Sequence, residues 1–421
     1  MNSISREEIA NGVFFNTIKD SRFKTTKLSV TFALPLTKEC ASKNALLSGV
    51  LTRSTSAYPD FTILSKKLSD LYGATLGGYV RKSGDKQIVV FSISGIDDRY
   101  AFQGDNITLD MSKLLCDVIF KPKLNGKAFC EEEIVQEKRQ LKDLIDSEFN
   151  DKRVYSLNKA LSIMCKDEPY GLSRLGTKPD LDAVTGEDLY SAWVNLLQKA
   201  TVEIFFSGEN GGDVAKNTLK NFFSSYERFP VSIENTIISD VQNVKNEKEV
   251  MELSQSKMIM GFRSGIASPY CDTMAMRLAV AILGGTAHSK LFNNVREKLS
   301  LCYYCSARFD KTKGIMTIES GVEKDNIEKA KVAILKELED IAKGNITDFE
   351  IDSTKLSMCN DFVAVGDNEF GMETWYLSQV LCNEFDSIED ACKKVQSVTK
   401  EEIMEMASRL KLDTVYVLES K

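Results

Sequence analysis

The sequence predicts an α+β protein of two homologous halves, each a largely antiparallel sheet with helices packed on one face, enclosing a cavity between them. Three observations point to that class. Short segments of alternating apolar residues are interspersed with stretches of apolar residues at helical spacing. Their order (strand, helices, hairpin, long helices, strand) occurs twice along the chain. The 421 residues also exceed what a single core ordinarily holds, so two domains are expected.

In the first half, Lys27-Leu-Ser-Val-Thr-Phe-Ala-Leu-Pro-Leu36 alternates as a strand. Leu46, Leu47, Val50 and Leu51 place a helix over residues 42–52, and Leu64, Leu68 and Leu71 place a second, ended at Gly73. Residues 74–81 and 86–94 read as strands joined through Lys82-Ser-Gly-Asp85, a hairpin signal. Residues 131–164 are helix-rich. Val184-Thr-Gly-Glu-Asp-Leu189 supplies a Thr N-cap and first-turn acids to the helix before a terminal strand at 201–206. The second half repeats this: a strand at 257–262, an apolar helix at 273–283 ended by Gly284-Gly285, a helix at 289–298, and strands at 301–309 and 314–322 joined by Asp310-Lys-Thr-Lys313. A helix-rich stretch at 348–381 follows. Val398-Thr-Lys-Glu-Glu-Ile403 then repeats the capping pattern before a strand at 414–418. The halves are expected at 1–227 and 251–421, with a linker at about 228–250 that includes the charged run Lys245-Asn-Glu-Lys-Glu249.

Hydrophobic content of 43% and charged content of 27% are those of a soluble globular chain, and seven prolines leave little room for long linkers. The net charge of −7 and the absence of a Lys/Arg block argue against nucleic acid as a partner. The first residues, Met-Asn-Ser-Ile-Ser-Arg-Glu-Glu8, contain no apolar signal region, and no long apolar run exists to span a membrane. A cytoplasmic location is the expectation, and the ten scattered cysteines suit reduced thiols there. The one C-x-x-C, Cys302-Tyr-Tyr-Cys305, lies in a β-leaning stretch. There, residues i and i+3 are expected on opposite faces, which argues against a zinc or redox site.

Histidine is the scarce residue. The chain has one, His288. It cannot build a His₂ or His₃ metal site, nor pair two imidazoles. His288 follows Gly284-Gly-Thr-Ala287 at a predicted helix start with no acid at a fixed spacing, so an exposed terminal residue is expected rather than a base. Gly284-Gly285 lacks the longer pattern of a phosphate loop. The acidic runs at 131–133 and 401–402 read as first-turn helix charges. Ser48 or a cysteine as a nucleophile would need a neighbouring base, which the sequence does not offer.

Several strings, in order over essentially the whole chain, resemble the pitrilysin/insulinase-type (inverzincin) metallopeptidases. In the first half these are Thr52-Arg-Ser-Thr-Ser-Ala-Tyr-Pro59, Glu168-Pro-Tyr-Gly171, Leu175-Gly-Thr177 and the 184–189 string. In the second they are Leu283-Gly-Gly285, Ser289-Lys-Leu-Phe-Asn-Asn-Val-Arg-Glu-Lys298 and Leu301-Cys-Tyr303. The family carries H-x-x-E-H on its first helix, with two His ligands and a Glu base. That motif falls here on Ala45-Leu-Leu-Ser-Gly49, so Ala45 and Gly49 replace the ligands and Ser48 replaces the base. A methyl or a hydrogen offers zinc no lone pair, and a serine hydroxyl is too weak a base to activate water. The family's third ligand, a downstream helical glutamate, falls near Asp143 and Leu144.

The resemblance implies that the substrate-binding Arg and Tyr of the second half survive as Arg296 and Tyr303. A guanidinium fork suits a peptide carbonyl or carboxylate, and a phenol suits a developing oxyanion. It is closest to bacterial members with a degenerate motif that accompany a zinc-competent paralogue. The expected function is therefore a non-catalytic or half-site subunit, inactive alone, that binds peptide in the cavity between halves. It holds no metal or other cofactor itself; zinc is expected only in a homologous partner, as a heterodimer or through self-association. The alternative is a structural or interaction protein of the same fold with no role in proteolysis.

Overall fold

The computed structural model describes residues 4–102 and 104–421; the first three residues of the N-terminal segment considered above lie outside them. Two compact units are present. Unit 1 holds the chain up to Asp146, Leu172–Glu234 and Asp367–Leu377; unit 2 holds Ser147–Gly171, Asn235–Gly366 and Ser378–Lys421.

Unit 1 is built on a sheet of β1 (Ile4–Ala10), β2 (Val13–Lys19), β3 (Thr25–Pro35), β4 (Thr75–Ser83) and β5 (Lys86–Ile96), with β8 (Thr201–Gly208). A separate short pair, β6 (Leu124–Asn125) and β7 (Ala128–Phe129), stands apart. The six strands run in the order β1-β2-β8-β3-β5-β4, antiparallel except for β2 with β8. Unit 2 carries β9 (Lys245–Met251), β10 (Ser256–Arg263), β11 (Cys302–Asp310), β12 (Ile315–Val322) and β13 (Lys411–Ser420). Their order is β11-β12-β10-β13-β9, with β13 and β9 the one parallel pair. Read from its other edge, this is the order β2-β8-β3-β5-β4 with the parallel pair in the same place. The duplicated α+β unit expected from the sequence is therefore the architecture. The two caps agree as well. Thr185 Oγ1 accepts from the Asp188 amide at 3.2 Å while the Asp188 carboxylate accepts from the Thr185 amide at 3.1 Å. Thr399 and Glu402 form the same box at 3.3 and 2.7 Å.

The linker expected at about 228–250 ends earlier than the sequence indicates. Its charged run is β9, an edge strand with mostly exposed side chains. Backbone pairing with β13 holds it, so it needs no apolar face, and charge on an edge discourages pairing with other chains. The β1–β2 hairpin escaped the sequence reading in part for the same reason, because β1 is an edge strand whose residues are mostly exposed or half-buried.

The principal helices of the first half are α1 (Lys38–Val50), α2 (Phe61–Asp70), α3 (Ile107–Phe120), α4 (Glu131–Asn150) and α5 (Lys152–Met164). Leu46, Leu47 and Val50 of α1 join Phe32 and Phe91 of the sheet in the unit 1 core. Among the described residues no helix is long and apolar enough to cross a membrane.

Neither unit is a contiguous half of the sequence. The segment carrying α5 and Glu168-Pro-Tyr-Gly171 belongs to unit 2. There Arg153 of α5 pairs with Glu319 of β12 at 2.7 Å, and the Tyr155 and Tyr416 hydroxyls both donate to Glu249 at 2.9 Å. Glu168 accepts from Arg263 at 2.6 Å and pairs with Lys313 at 2.8 Å, while Arg263 also pairs with Asp413 at 2.7 Å. All four are almost fully buried, and two cations balance two carboxylates. Conversely, most of helix Glu369–Val380 belongs to unit 1. Its Glu373 takes a bond from Ser29 at 2.7 Å and pairs with Lys27 of β3 at 2.7 Å, while Thr25 donates to Glu369 at 3.0 Å. Burial pushes the Glu369 carboxyl up to about 7, opposed by the Thr25 bond and Lys27 and reinforced by Asp20 and Glu373.

Glu168→Ala removes one of the two carboxylates that balance the buried Arg263 and Lys313 and is expected to cost about 3–5 kcal/mol in urea unfolding, against under about 1 kcal/mol if the network is idle. Glu369 binds its proton more tightly in the folded chain than in the unfolded one, where a Glu titrates near 4.3. Its contribution to stability is complete below about pH 4.3 and is lost as pH rises towards 7. Glu369→Gln is therefore expected to stabilise the chain relative to wild type more at pH 8 than at pH 5; equal differences at both pH values would contradict the assignment.

Candidate functional site

Ala45, Ser48 and Gly49 share one face of α1, since positions i, i+3 and i+4 of a helix lie together. With Gly78 and Tyr79 of β4 and Glu137 of α4, they line a cavity of about 520 Å³ within unit 1. The close approach of β4 to α1 depends on Gly78, because a β-carbon there would overlap the Ser48 carbonyl. β4 is one of the two edges of the sheet, and among the described residues its outer backbone groups pair with no further strand.

The carboxylate that α4 presents to this face is Glu137. The sequence expectation near Asp143 and Leu144 is corrected: Asp143 is exposed, and Leu144 lines the cavity only with an apolar side chain. Glu137 lies nearly two helical turns earlier and is 9% exposed. Its Oε1 accepts from Arg53 at 2.7 Å and from Gln140 at 3.1 Å. Its Oε2 lies against Gly49, where any β-carbon would overlap it. Arg53 also donates to Gln136, and Ser54 donates to Glu133 at 2.8 Å, so the segment after α1 is fastened to the acidic face of α4. The signal in the sequence was Glu133 and Glu137 one turn apart, complementary to Arg53-Ser54; it is intelligible only once α1 and α4 are known to pack together.

This donor set does not fit zinc. Ala45 and Gly49 have no lone pair, Ser48 Oγ donates to the Ala45 carbonyl at 2.8 Å, and Arg53 already neutralises Glu137. Among the described residues no group of three His, Cys, Asp or Glu side chains is placed to hold a metal ion. Nor does Ser48 have a base: its hydroxyl proton is spent on its own helix, which disfavours the nucleophile reading.

In unit 2, Arg296 lies on a π-helical turn, Leu291–Lys298, over the Phe292 ring at 4.6 Å and 3.5 Å from Glu297. Tyr303, on β11, is 74% exposed. Its neighbour Tyr304 packs the other way, 4.7 Å below the Arg153 guanidinium, and burial pushes its phenol up to about 12. His288 is exposed, with its ring 6.2 Å from Phe349. The expectation that Cys302 and Cys305 face opposite ways fails: the β11 register shifts between Cys302 and Tyr304, and both thiols are buried. A bulge absorbs one residue and restores the two cysteines to one face.

Residues 183–358 match the family described as Peptidase M16 inactive domain. The probable inactive metalloprotease YmfF of Bacillus subtilis (strain 168) is 30% identical over 407 residues, covering 97% of this chain and 96% of that protein. An uncharacterized zinc protease of Rickettsia bellii (strain RML369-C) is 22% identical over 329 residues, 74% of this chain and 76% of that protein. A crystal structure of a conserved protein from Enterococcus faecalis V583 superposes with a TM-score of 0.90 at 28% identity, covering 100% of this chain and 99% of that one. The peptidase M16 inactive domain from Pseudomonas fluorescens gives 0.80 at 16% identity over 99% and 98%, a likeness of fold alone.

The contact of Glu137 with Gly49 sets a measurable coupling. Gly→Ala inside a helix is ordinarily worth about 1 kcal/mol of stability. In wild type that gain is expected to be cancelled, because the new methyl displaces Glu137 from Arg53. In a Glu137→Ala background it is expected to appear in full, giving a coupling of about 1 kcal/mol by denaturant unfolding. Equal effects of Gly49→Ala in both backgrounds would show that the two residues do not touch.

Proposed function

This chain belongs to the M16 family of pitrilysin/insulinase-type peptidases, and we propose that it serves as a half-site subunit that binds peptide and leaves the hydrolytic chemistry to a zinc-bearing homologue. The observation that carries this reading is the replacement of the ligand pair and base by Ala45, Gly49 and Ser48, with Glu137 neutralised by Arg53. A cavity remains beside a free sheet edge. An extended peptide laid along β4 would satisfy the outward backbone groups of that strand, while the cavity receives one of its side chains. Arg296 and Tyr303 supply the substrate contacts of unit 2, the guanidinium to a peptide carbonyl or carboxylate and the phenol as a donor. Both carry polar groups within reach of solvent. In this reading zinc resides in the partner only, the pair is a cytoplasmic heterodimer, and the chain alone cleaves nothing.

The test is co-expression with a homologue that keeps an intact H-x-x-E-H, followed by a peptide cleavage assay of the purified pair. The pair is expected to cleave. Arg296→Ala is expected to lower kcat/KM about 10-fold or more, the worth of one charge-assisted hydrogen bond. Tyr303→Phe is expected to lower it less. Unchanged cleavage by both variants would instead favour a protein of this fold with no part in proteolysis.

A further inference from the structure

We propose that a small cavity of unit 2 binds a free α-amino acid as its zwitterion, with the carboxylate on Arg277 and the ammonium at Asp272 and Gln379. The cavity has a volume of about 200 Å³, and neither Arg296 nor Tyr303 lines it. It forms where helix Met274–Val280 meets the end of helix Glu369–Val380, the turn that follows, and helix Ile388–Ser397. All of its walls belong to unit 2. Drug-sized ligands occupy pockets of roughly 300–1,000 Å³, so this one suits a smaller molecule.

The charges on its walls leave one cation and one anion over. Glu384 accepts from Ser268 and pairs with Lys311 at 2.5 Å. Asp386 pairs with Lys394 at 2.6 Å. Arg277 has no such partner. Among the described residues its guanidinium makes no hydrogen bond or ion pair, and it lies over the Phe362 ring, 5.2 Å from the centroid. Burial pushes it below the ordinary guanidinium range, opposed by the charges of Glu384, Asp272 and Asp386. Asp272 makes no ion pair either; its Oδ1 accepts from the Met274 amide at 2.8 Å. Gln379, 5% exposed, is the third group. Its Nε2 donates to the Asp386 carbonyl at 3.4 Å, while its Oε1 accepts from nothing. A buried acceptor left without a donor is costly, and a ligand N–H would supply one.

These three groups together call for one ligand that carries a carboxylate and an ammonium. A guanidinium fork binds a carboxylate through paired, charge-assisted bonds, and an ammonium has three donors, enough for a carboxylate and an amide oxygen. Inorganic phosphate would face the carboxylates of Asp272, Glu384 and Asp386 and leave Gln379 without a donor. A divalent cation fits no better. Lys311 and Lys394 already neutralise two of the carboxylates, and among the described residues no group of three His, Cys, Asp or Glu is placed to hold a metal ion. Met274 and Ala391, both buried, give the cavity an apolar wall suited to a short aliphatic side chain.

The test uses the full-length chain alone, so its outcome is independent of the peptide-binding reading. L-Valine is titrated calorimetrically beside isovalerate, which lacks the ammonium, and isobutylamine, which lacks the carboxylate. L-Valine is expected to bind saturably at one site per chain, and each analogue at least about 10-fold more weakly, since each forfeits a charge-assisted bond. Arg277→Met keeps the aliphatic stem and removes a half-buried cation that has no partner. It is expected to unfold in urea no earlier than wild type while losing L-valine binding. Asp272→Asn retains an oxygen for the Met274 amide and is expected to weaken L-valine about 10-fold with little effect on isovalerate. No saturable binding of L-valine at millimolar concentration would overturn the proposal. So would equal binding of L-valine and isovalerate, the mark of a plain anion site, or undiminished binding by a folded Arg277→Met chain.

Discussion

A guanidinium balances the nearly buried carboxylate that α4 presents to α1. Arg53 holds Glu137 at 2.7 Å beside Gly49, and much of unit 1 around the cavity depends on that contact. A nearly buried carboxylate without a counter-charge would be costly to keep ionised. Here the counter-charge comes from the segment that follows α1, so neutralising Glu137 also fixes where that segment runs. Ser54 and Glu133 extend the same seam. The missing side chains are as much a part of this as the ion pair. Only hydrogen at position 49 leaves room for the carboxylate, and only hydrogen at 78 lets β4 approach the helix. The face of α1 at Ala45, Ser48 and Gly49 is therefore packed with its own interactions, and a side chain at position 49 would meet the Glu137 carboxylate.

The two sheets follow the same plan of four antiparallel-linked strands and one parallel pair, which puts β4 and β11 at equivalent edges. Unit 1 uses that edge for the cavity. In unit 2 the same edge carries the bulge that displays Tyr303 and turns Cys302 and Cys305 to one face.

Much of this was legible in the sequence. The repeat and the capping boxes at Thr185 and Thr399 rest on local patterns that can be counted, while the absence of ligands at Ala45 and Gly49 rests on the resemblance to the metallopeptidase strings. What escaped depends on packing. β9 carries no apolar face because backbone pairing alone holds it at an edge. Glu137 could not be chosen over Asp143 without knowing which face of α4 meets α1. The assignment of α5 to unit 2, and of most of helix Glu369–Val380 to unit 1, is written in long-range ion pairs such as Glu168 with Arg263 and Lys27 with Glu373. The one-face placement of Cys302 and Cys305 needed a bulge, which strand periodicity does not announce.

In the proposed reading, Arg53 and the small residues of α1 leave this site unfit for a metal ion. Metal content of the purified full-length chain, measured after equilibration with excess zinc and removal of free ion, tests it directly. The account predicts zinc far below one ion per chain, and no peptide cleavage that a chelator can abolish. One tightly held zinc per chain, lost together with activity on chelation, would contradict it.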